Sequence, residues 1–124
     1  MENTRPSATI LRLAHLINYF YQEDIMVRHI VMWNFKEEFT EEENIKNAQK
    51  IKTELEALTS KIEGVISLKV MISTLPSGNR AVVLNSLFTD EDALKNYIVH
   101  PEHVRVGTIV RAALTDRVCA DYIE

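Results

Sequence analysis

The chain of 124 residues has few of the residues that several common protein classes require. It contains one cysteine, Cys119, so no disulfide can form within the chain and a disulfide-rich scaffold is excluded. A single cysteine fits a reducing compartment, and we expect a cytoplasmic protein. The three glycines are far apart in the sequence, which excludes the glycine-rich loops that bind nucleotide phosphates.

The chain also lacks an excess of positive charge and a long apolar run. Its 14 basic and 18 acidic residues give a net charge of -4, so we expect no nucleic-acid partner. The longest mostly apolar stretch, residues 10–21, is too short and too polar to span a bilayer, so we expect no membrane partner. A hydrophobic content of 46% with 26% charged residues is typical of a folded globular domain.

Residues 1–25 differ in character from the rest of the chain. A pattern typical of a strand begins directly after Met26. Arg5, Arg12 and a shortage of acidic residues also fit an organelle-targeting presequence, which stays open as an alternative. We interpret residues 1–25 as an N-terminal extension, either a peripheral helix or a start-site artefact, and residues 26–124 as one domain.

The pattern after Met26 predicts strands and helices in alternation. Residues 27–35 are rich in β-branched and aromatic side chains, which predicts a strand. Thr40 and Glu43 form a capping-box signature ahead of apolar residues at helical spacing, which predicts a helix over residues 41–62. The remaining predicted elements are two strands of a hairpin (65–73 and 80–88), a helix capped by Thr89 or Asp90 and interrupted at Pro101, a helical stretch (103–113) and a last strand (116–124).

This order, β-α-β-β-α-β, is that of an α+β ferredoxin-like protomer with both helices on one face of the sheet. The alternation within the first strand places His29 on the helix side, together with the apolar residues Val27, Val31, Trp33 and Phe35. Ile30 and Met32 then lie on the other, uncovered face. Because an exposed apolar sheet face favours a partner, we expect a homodimer that buries sheet against sheet.

The candidate chemistry lies in the string Tyr97, His100, Pro101, His103 and in His29, which must face the helices to join them. A neutral imidazole accepts a proton near pH 7, and a tyrosine hydroxyl donates a hydrogen bond to a carbonyl oxygen. This set could promote enolisation or an aldol-type ring closure without a cofactor. The alternative is structural: a His-Pro pair commonly caps a helix, with the imidazole bonded to the backbone.

Metal and nucleophilic chemistry fit the sequence less well. His29, His100 and His103 could supply three nitrogens, but their spacing does not match helical zinc motifs, so we expect no metal and no cofactor. Cys119 falls in the predicted last strand with no obvious base beside it, so we expect it to pack as a small hydrophobe. Trp33 either lines a ligand cavity or belongs to the core.

Four parts of the sequence together resemble the stress-responsive dimeric α/β-barrel (Dabb) domain family: Val27 to Val31, Phe88 to Asp92, Tyr97 to Val104, and Asp121 with Tyr122. The resemblance covers most of residues 26–124. It implies a ferredoxin-like protomer, a second copy that closes a dimeric α/β barrel, and a cavity between sheet and helices in each half.

The family includes a plant polyketide cyclase, which closes its substrate by aldol condensation without a cofactor. By this resemblance, Tyr97 and His103 match the residues that orient substrate and act as general base. We assign His103, Tyr97 and His29 as candidate catalytic residues, and Val31, Trp33 and His100 as candidate substrate-binding residues. Trp33 departs from a smaller aliphatic side chain in the cyclase, which would shorten an acyl pocket.

Two functions follow from these expectations. The first is a dimeric small-molecule-binding barrel with a cofactor-independent lyase, cyclase or isomerase activity on an enolisable carbonyl compound. The alternative is a non-catalytic stress-response or accessory oligomeric protein.

Overall fold

The computed structural model describes residues 7–13 and 25–124. Most of the predicted N-terminal extension therefore lies outside the described residues, although residues 8–13 are helical and exposed. Within the described residues, every helix is too short or too polar to cross a membrane.

The fold confirms the predicted α+β order of elements. The strands and helices are β1 (Val27–Phe35), α1 (Glu41–Ala57), β2 (Val65–Met71), β3 (Val82–Phe88), α2 (Glu91–Val99), α3 (Pro101–Ala113) and β4 (Leu114–Ile123). The four strands form one sheet in the order β2-β3-β1-β4, and each neighbouring pair is antiparallel. This arrangement is the ferredoxin-like topology, in which β1 and β3 are central and β2 and β4 are edges.

Several element boundaries differ from the sequence-based prediction: β2 ends at Met71 rather than at residue 73, and β3 begins at Val82 rather than at residue 80. Helix α1 ends at Ala57 rather than at residue 62, because the chain tightens into a 3-10 turn over Leu58–Ser60. Helix α3 begins at Pro101 rather than at residue 103, because proline is well accommodated in the first helical turn. Strand β4 begins two residues earlier than predicted, at Leu114.

Local caps fix where the helices begin. The Thr40 hydroxyl accepts a hydrogen bond from the Glu43 amide at 3.1 Å, and the Glu43 carboxylate accepts one from the Thr40 amide at 3.0 Å. The predicted capping box is thus confirmed. Helix α2 is capped by Asp90, whose carboxylate accepts from the Ala93 amide at 2.8 Å. Gly64, just before β2, has a φ of 88°, and a Cβ there would lie 2.6 Å from the Ala93 Cβ.

The hydrophobic core lies between the helices and one face of the sheet, here called the inner face. Along β1 the buried residues alternate with partly exposed ones, and His29 is on the buried side as predicted. The inner face of β3 contributes Val82, Leu84, Ser86 and Phe88, which are all buried. The core therefore covers one side of each central strand.

The opposite, outer face of the sheet carries apolar side chains that stay partly or fully exposed. Ile30 and Met32 of β1 are partly exposed, and they pair in register with Ala120 and Val118 of β4. The same face includes Val83 of β3, the register partner of Met32. A continuous apolar strip thus crosses the three strands β3, β1 and β4.

Candidate functional site

A cavity of about 280 Å³ lies between the inner face of the sheet and the helices. Its volume is at the small end of the range for ligand pockets. The apolar wall consists of Val31, Trp33, Leu55, Leu84, Gly107 and Val110. The polar lining consists of His29, Tyr97, His103, Arg111 and Arg117. The fold thus brings the three predicted catalytic residues from β1, α2 and α3 to one cavity.

Tyr97 is fully buried and supplies a hydroxyl group to this cavity. Its ring centroid lies 4.9 Å from that of Phe88 and 4.3 Å from that of His103. The hydroxyl oxygen is buried and has no hydrogen-bond partner among the described residues. Burial raises the pKa of Tyr97, so the hydroxyl stays protonated. Since buried polar atoms are nearly always paired, this hydroxyl is suited to donate to a bound ligand.

His103 lies in the first turn of α3 and lines the cavity beside Tyr97. Its Nδ1 lies 3.0 Å from the backbone carbonyl oxygen of Ile98. Because a carbonyl oxygen only accepts, Nδ1 carries the proton and Nε2 keeps a free lone pair. Partial burial lowers the pKa of His103, and the charges of His29, Arg117 and Arg111 act in the same direction. The imidazole is therefore neutral near pH 7 and can accept a proton at Nε2.

His29 is buried on β1, and both neighbouring strands hold it in place. Its Nδ1 is hydrogen-bonded to the carboxylate of Asp121, its register partner on β4. Ser86 of β3 donates its hydroxyl to the His29 backbone carbonyl at 2.6 Å. An ionised carboxylate only accepts, so Nδ1 of His29 carries the proton and Nε2 is the free ring nitrogen. The ring lies 6.3 Å from that of Tyr97, centroid to centroid.

The environment of Cys119 differs from the sequence-based expectation. The thiol was expected to pack as a small hydrophobe without a base nearby, but Cys119 is exposed and its Sγ lies 3.7 Å from Nδ1 of His29. The reason is that β4 is an edge strand, so its residues after Leu114 are exposed. Partial desolvation of the thiol and the adjacent charge of Asp121 raise the pKa of Cys119, which disfavours the thiolate.

His29, Cys119 and Asp121 offer three atoms of the kinds that bind a divalent ion such as zinc. These atoms all lie within 4.8 Å of one another. In the metal-free protein the raised pKa keeps the Cys119 thiol protonated, and the three side chains form a hydrogen-bonded cluster.

Sequence reasoning missed three polar residues of the site: Asp121, Arg111 and Arg117. The alternation in residues 117–122 contained a signal for two of them, because arginine, cysteine and aspartate alternate there with valine, alanine and tyrosine. An antiparallel strand beside β1 places one of these polar residues opposite His29 on the inner face. The signal for Arg111 is its spacing, because it follows His103 by two helical turns and so shares a face of α3 with it, although its exposed position is also typical of a solvated arginine.

The predicted substrate-binding residues are placed differently from one another. Val31 and Trp33 line the cavity from β1. His100 is not among the lining residues; it caps α3, and its Nδ1 accepts a hydrogen bond from the Glu102 amide at 3.1 Å. The backbone of His100 is extended, with a ψ of 135°, which ends α2 and turns the chain into α3. The capping role that the His-Pro pair offered as an alternative thus describes His100.

Comparison with known domain families gives a match over residues 27–124 to the Stress Responsive A/B Barrel Domain (Dabb) family. The chain belongs to the Dabb family. Among the curated proteins, none matches it in sequence.

Solved structures with the same fold include proteins from bacteria and a plant. A dimeric protein of unknown function with a ferredoxin-like fold from Bacteroides fragilis is 32% identical, with a TM-score of 0.74, and the alignment covers 80% of this chain and 96% of that one. A dimeric ferredoxin-like protein of unknown function from Thermobifida fusca is 21% identical, with a TM-score of 0.70 and coverage of 82% and 93%. The hydroxynitrile lyase of Passiflora edulis is 18% identical, with a TM-score of 0.69 and coverage of 82% and 94%.

These similarities support the Dabb fold across the domain. The Bacteroides fragilis protein, at 32% identity, is related in sequence as well as in fold. The Thermobifida fusca and Passiflora edulis proteins are similar in fold alone. The ferredoxin-like Dabb architecture expected from the sequence is confirmed.

Proposed function

We propose that this Dabb protein is a small-molecule-binding homodimer whose cavity catalyses cofactor-independent proton transfer on an enolisable carbonyl compound, as a lyase, cyclase or isomerase. The observation that carries the proposal is the Tyr97 hydroxyl, which is buried, lines the cavity and has no hydrogen-bond partner among the described residues. It lies beside His103, a neutral base that lines the same cavity.

The two side chains can divide the chemistry of enolisation between them. Nε2 of His103 removes a proton from the carbon next to the carbonyl group. The electron pair of that C–H bond forms a carbon–carbon double bond, and the π pair of the carbonyl group moves to its oxygen. The Tyr97 hydroxyl donates a hydrogen bond to this oxygen as negative charge develops on it. The resulting enolate then accepts a proton, attacks a second carbonyl group or expels a leaving group, which correspond to the isomerase, cyclase and lyase reactions.

His29 and Asp121 supply a second proton-transfer group in the same cavity. When His29 accepts a proton at Nε2, the carboxylate of Asp121 stabilises the imidazolium through the hydrogen bond to Nδ1. His29 can therefore deliver a proton to an oxygen or carbon atom of a ligand in the same cavity. Asp121 acts through His29 and is a positioning residue in this scheme.

A homodimer is supported by the apolar outer face of the sheet, by the dimeric relative from Bacteroides fragilis and by the dimeric protein of the same fold from Thermobifida fusca. Ile30 and Met32 lie at the centre of that face. A second copy would cover the face, sheet against sheet, and would leave the cavity on the helix side of each protomer. A cytoplasmic location stays a prediction from the single cysteine.

A lyase of the same fold exists in Passiflora edulis, so this architecture supports that class of chemistry in one other protein. Trp33 in the cavity wall and the volume of about 280 Å³ favour a short substrate rather than an extended polyketide chain. The second candidate function, a non-catalytic accessory oligomer, is favoured by the hydrogen bond from His103 to the Ile98 carbonyl, which could serve the helix junction alone.

Proton exchange distinguishes the two candidate functions. The probe is methyl 4-oxo-4-phenylbutanoate in deuterated buffer with a chelator, and proton NMR measures the loss of signal at the carbon next to the ketone. We expect the protein to accelerate this exchange, and His103→Ala or Tyr97→Phe to slow it by about a hundredfold, the usual scale for a lost acid-base group. The matched control is Tyr122→Phe, a tyrosine on the other face of the sheet.

Two outcomes would contradict the catalytic proposal. One is exchange at the rate of the buffer in the presence of the wild-type protein. The other is a His103→Ala variant that exchanges normally but melts at a much lower temperature, which would assign the imidazole to the helix junction instead.

A further inference from the structure

Two arginines, Arg111 and Arg117, line the cavity together with His103. Their positive charges contrast with the net charge of -4 of the whole chain. Both guanidinium groups act on His103, since their charges contribute to its lowered pKa. The cavity therefore has a locally positive lining in an acidic protein.

The position of the Arg111 side chain depends on a glycine in the same helix, α3. It follows Gly107 by one helical turn, and a Cβ at Gly107 would lie 3.0 Å from Nη1 of Arg111. The absence of a side chain at Gly107 lets the guanidinium group lie along the helix surface, where both residues line the cavity. A larger residue at position 107 would push the guanidinium group aside.

Arg117 is placed by a bulge in β4. The pairing of β1 with β4 shifts register between Met32 and Asn34, and Asp116 has a φ of 55°. Such bulges commonly redirect a side chain beside a functional site. Arg117 is the second of the two bulged residues, directly before regular pairing resumes at Val118, and it lies on the same face of β4 as Cys119, which points to the helices.

The two cavity arginines differ from the other well-placed arginines of the domain. Arg28 makes two hydrogen bonds to the Glu124 carboxylate, at 2.9 and 2.6 Å, and Arg105 bonds to Glu102 and Glu54 at 2.7 and 3.0 Å. Among the described residues, neither Arg111 nor Arg117 lies within 4.0 Å of a carboxylate oxygen as an ion pair. Neither guanidinium group is therefore committed to a carboxylate of the described residues, and Arg117 has the thiol of Cys119 as a neighbour.

We infer that Arg111 and Arg117 form a binding site for the carboxylate group of the cavity's ligand, so that the substrate class is a keto acid. This inference rests on the proposed function for the reactive ketone, but the carboxylate site itself is tested by binding alone. Guanidinium groups donate paired hydrogen bonds that match the geometry of a carboxylate. The carbon skeleton of the ligand then packs against Val31, Trp33 and Val110, and its ketone reaches the Tyr97 hydroxyl.

The experiment compares 4-oxo-4-phenylbutanoate with its methyl ester, which differ by one negative charge. Isothermal titration calorimetry measures the affinity of each for the wild-type protein and for Arg111→Gln and Arg117→Gln. We expect the wild-type protein to bind the acid at least about tenfold more tightly than the ester, and each variant to lose about tenfold for the acid alone, on the scale of one charge-assisted hydrogen bond. The matched control is Arg105→Gln, which removes the same charge from the same helix outside the cavity.

Equal affinity for acid and ester would overturn the carboxylate site, as would failure of the acid to bind at millimolar concentration. An equal loss of acid affinity in Arg105→Gln would also overturn it, because the preference would then come from overall charge. Failure of the proposed function would give a different result. The acid would then bind with the expected preference, but the wild-type protein would not accelerate proton exchange in either compound.

Discussion

The two faces of the sheet carry different chemistry, although alternate residues of the same strands build them. Strand β4 shows the contrast best: its inner face presents Arg117, Cys119 and Asp121, and its outer face presents Val118, Ala120 and Tyr122. An edge strand that only covered a core would have the opposite pattern, with apolar residues toward the helices. The proposed function accounts for this difference, with a ligand on the inner face and a second copy of the chain on the outer face. A shift of one residue in register would exchange the two roles.

The largest expected effect is the loss of dimer stability when a charge is placed on the outer face. Met32→Lys places an ammonium group at the centre of the proposed interface, and an unpaired buried charge costs about 3 to 5 kcal/mol. We expect the dimer to dissociate, with sedimentation velocity showing a monomer at micromolar concentration.

The control for this substitution is Leu75→Lys, which adds the same charge to an exposed position in the loop between β2 and β3. It should leave the sedimentation coefficient unchanged. A wild-type protein that sediments as a stable monomer would contradict the assignment of the outer face.

The alternation of β1 is the reason that both faces could be predicted from the sequence. His29, Val31 and Trp33 share one side and Ile30 and Met32 the other, whatever the details of the fold. The capping box at Thr40 and Glu43 likewise depends on residues three apart. Such local relations are fully contained in the sequence, and the structure confirms them.

The parts of the site that were not predicted depend on contacts between distant residues. Asp121 meets His29 only because β4 pairs with β1 in one register, 92 residues later in the chain. Arg117 owes its position to a bulge, and bulges have no fixed sequence signature. His100 and His103 were both assigned to the site from the sequence, but the extended backbone at His100 makes His100 a helix cap and leaves His103 in the cavity.

A smaller effect is expected when the inner face loses its hydrogen-bonded carboxylate. Asp121→Asn keeps the size of the side chain but removes the charge that stabilises protonated His29. We expect proton exchange in methyl 4-oxo-4-phenylbutanoate to slow by about tenfold, since one charge-assisted hydrogen bond contributes about 1.5 to 3 kcal/mol and only part of it acts in the transition state.

Cys119→Ala is the matched variant for Asp121→Asn, because it removes the third member of the same cluster. We expect it to retain normal exchange. Two results together would identify a metal site and contradict the hydrogen-bonded cluster. One is a comparable loss of exchange in Cys119→Ala, and the other is faster exchange when zinc is added to wild-type protein freed of metal by the chelator.

The pH dependence of exchange sharpens the assignment of the base. The ordinary pKa of histidine is 6.5, and burial lowers that of His103, so its imidazole stays neutral to a lower pH. The exchange rate measured by NMR should therefore hold as the pH falls to 6.5 and should decline only below it. A decline centred above pH 6.5 would point to a different base.

The smallest effect is expected at the helix junction. His100→Ala removes the side chain that accepts from the Glu102 amide, and loss of an N-cap costs about 1 kcal/mol. We expect calorimetry to show a melting temperature lower by several degrees and proton exchange to be unchanged. Slowed exchange at full stability would place His100 in the site after all, as first expected from the sequence.

The most direct test of the proposed chemistry is a crystal structure of the protein with methyl 4-oxo-4-phenylbutanoate bound. We predict that the ketone oxygen accepts a hydrogen bond from the Tyr97 hydroxyl, with about 2.7 Å between the two oxygen atoms, the usual distance for an O–H···O hydrogen bond. The carbon next to the ketone should then face Nε2 of His103. A ligand that fills the cavity without contacting the Tyr97 hydroxyl, or that binds elsewhere on the protein, would contradict the proposal.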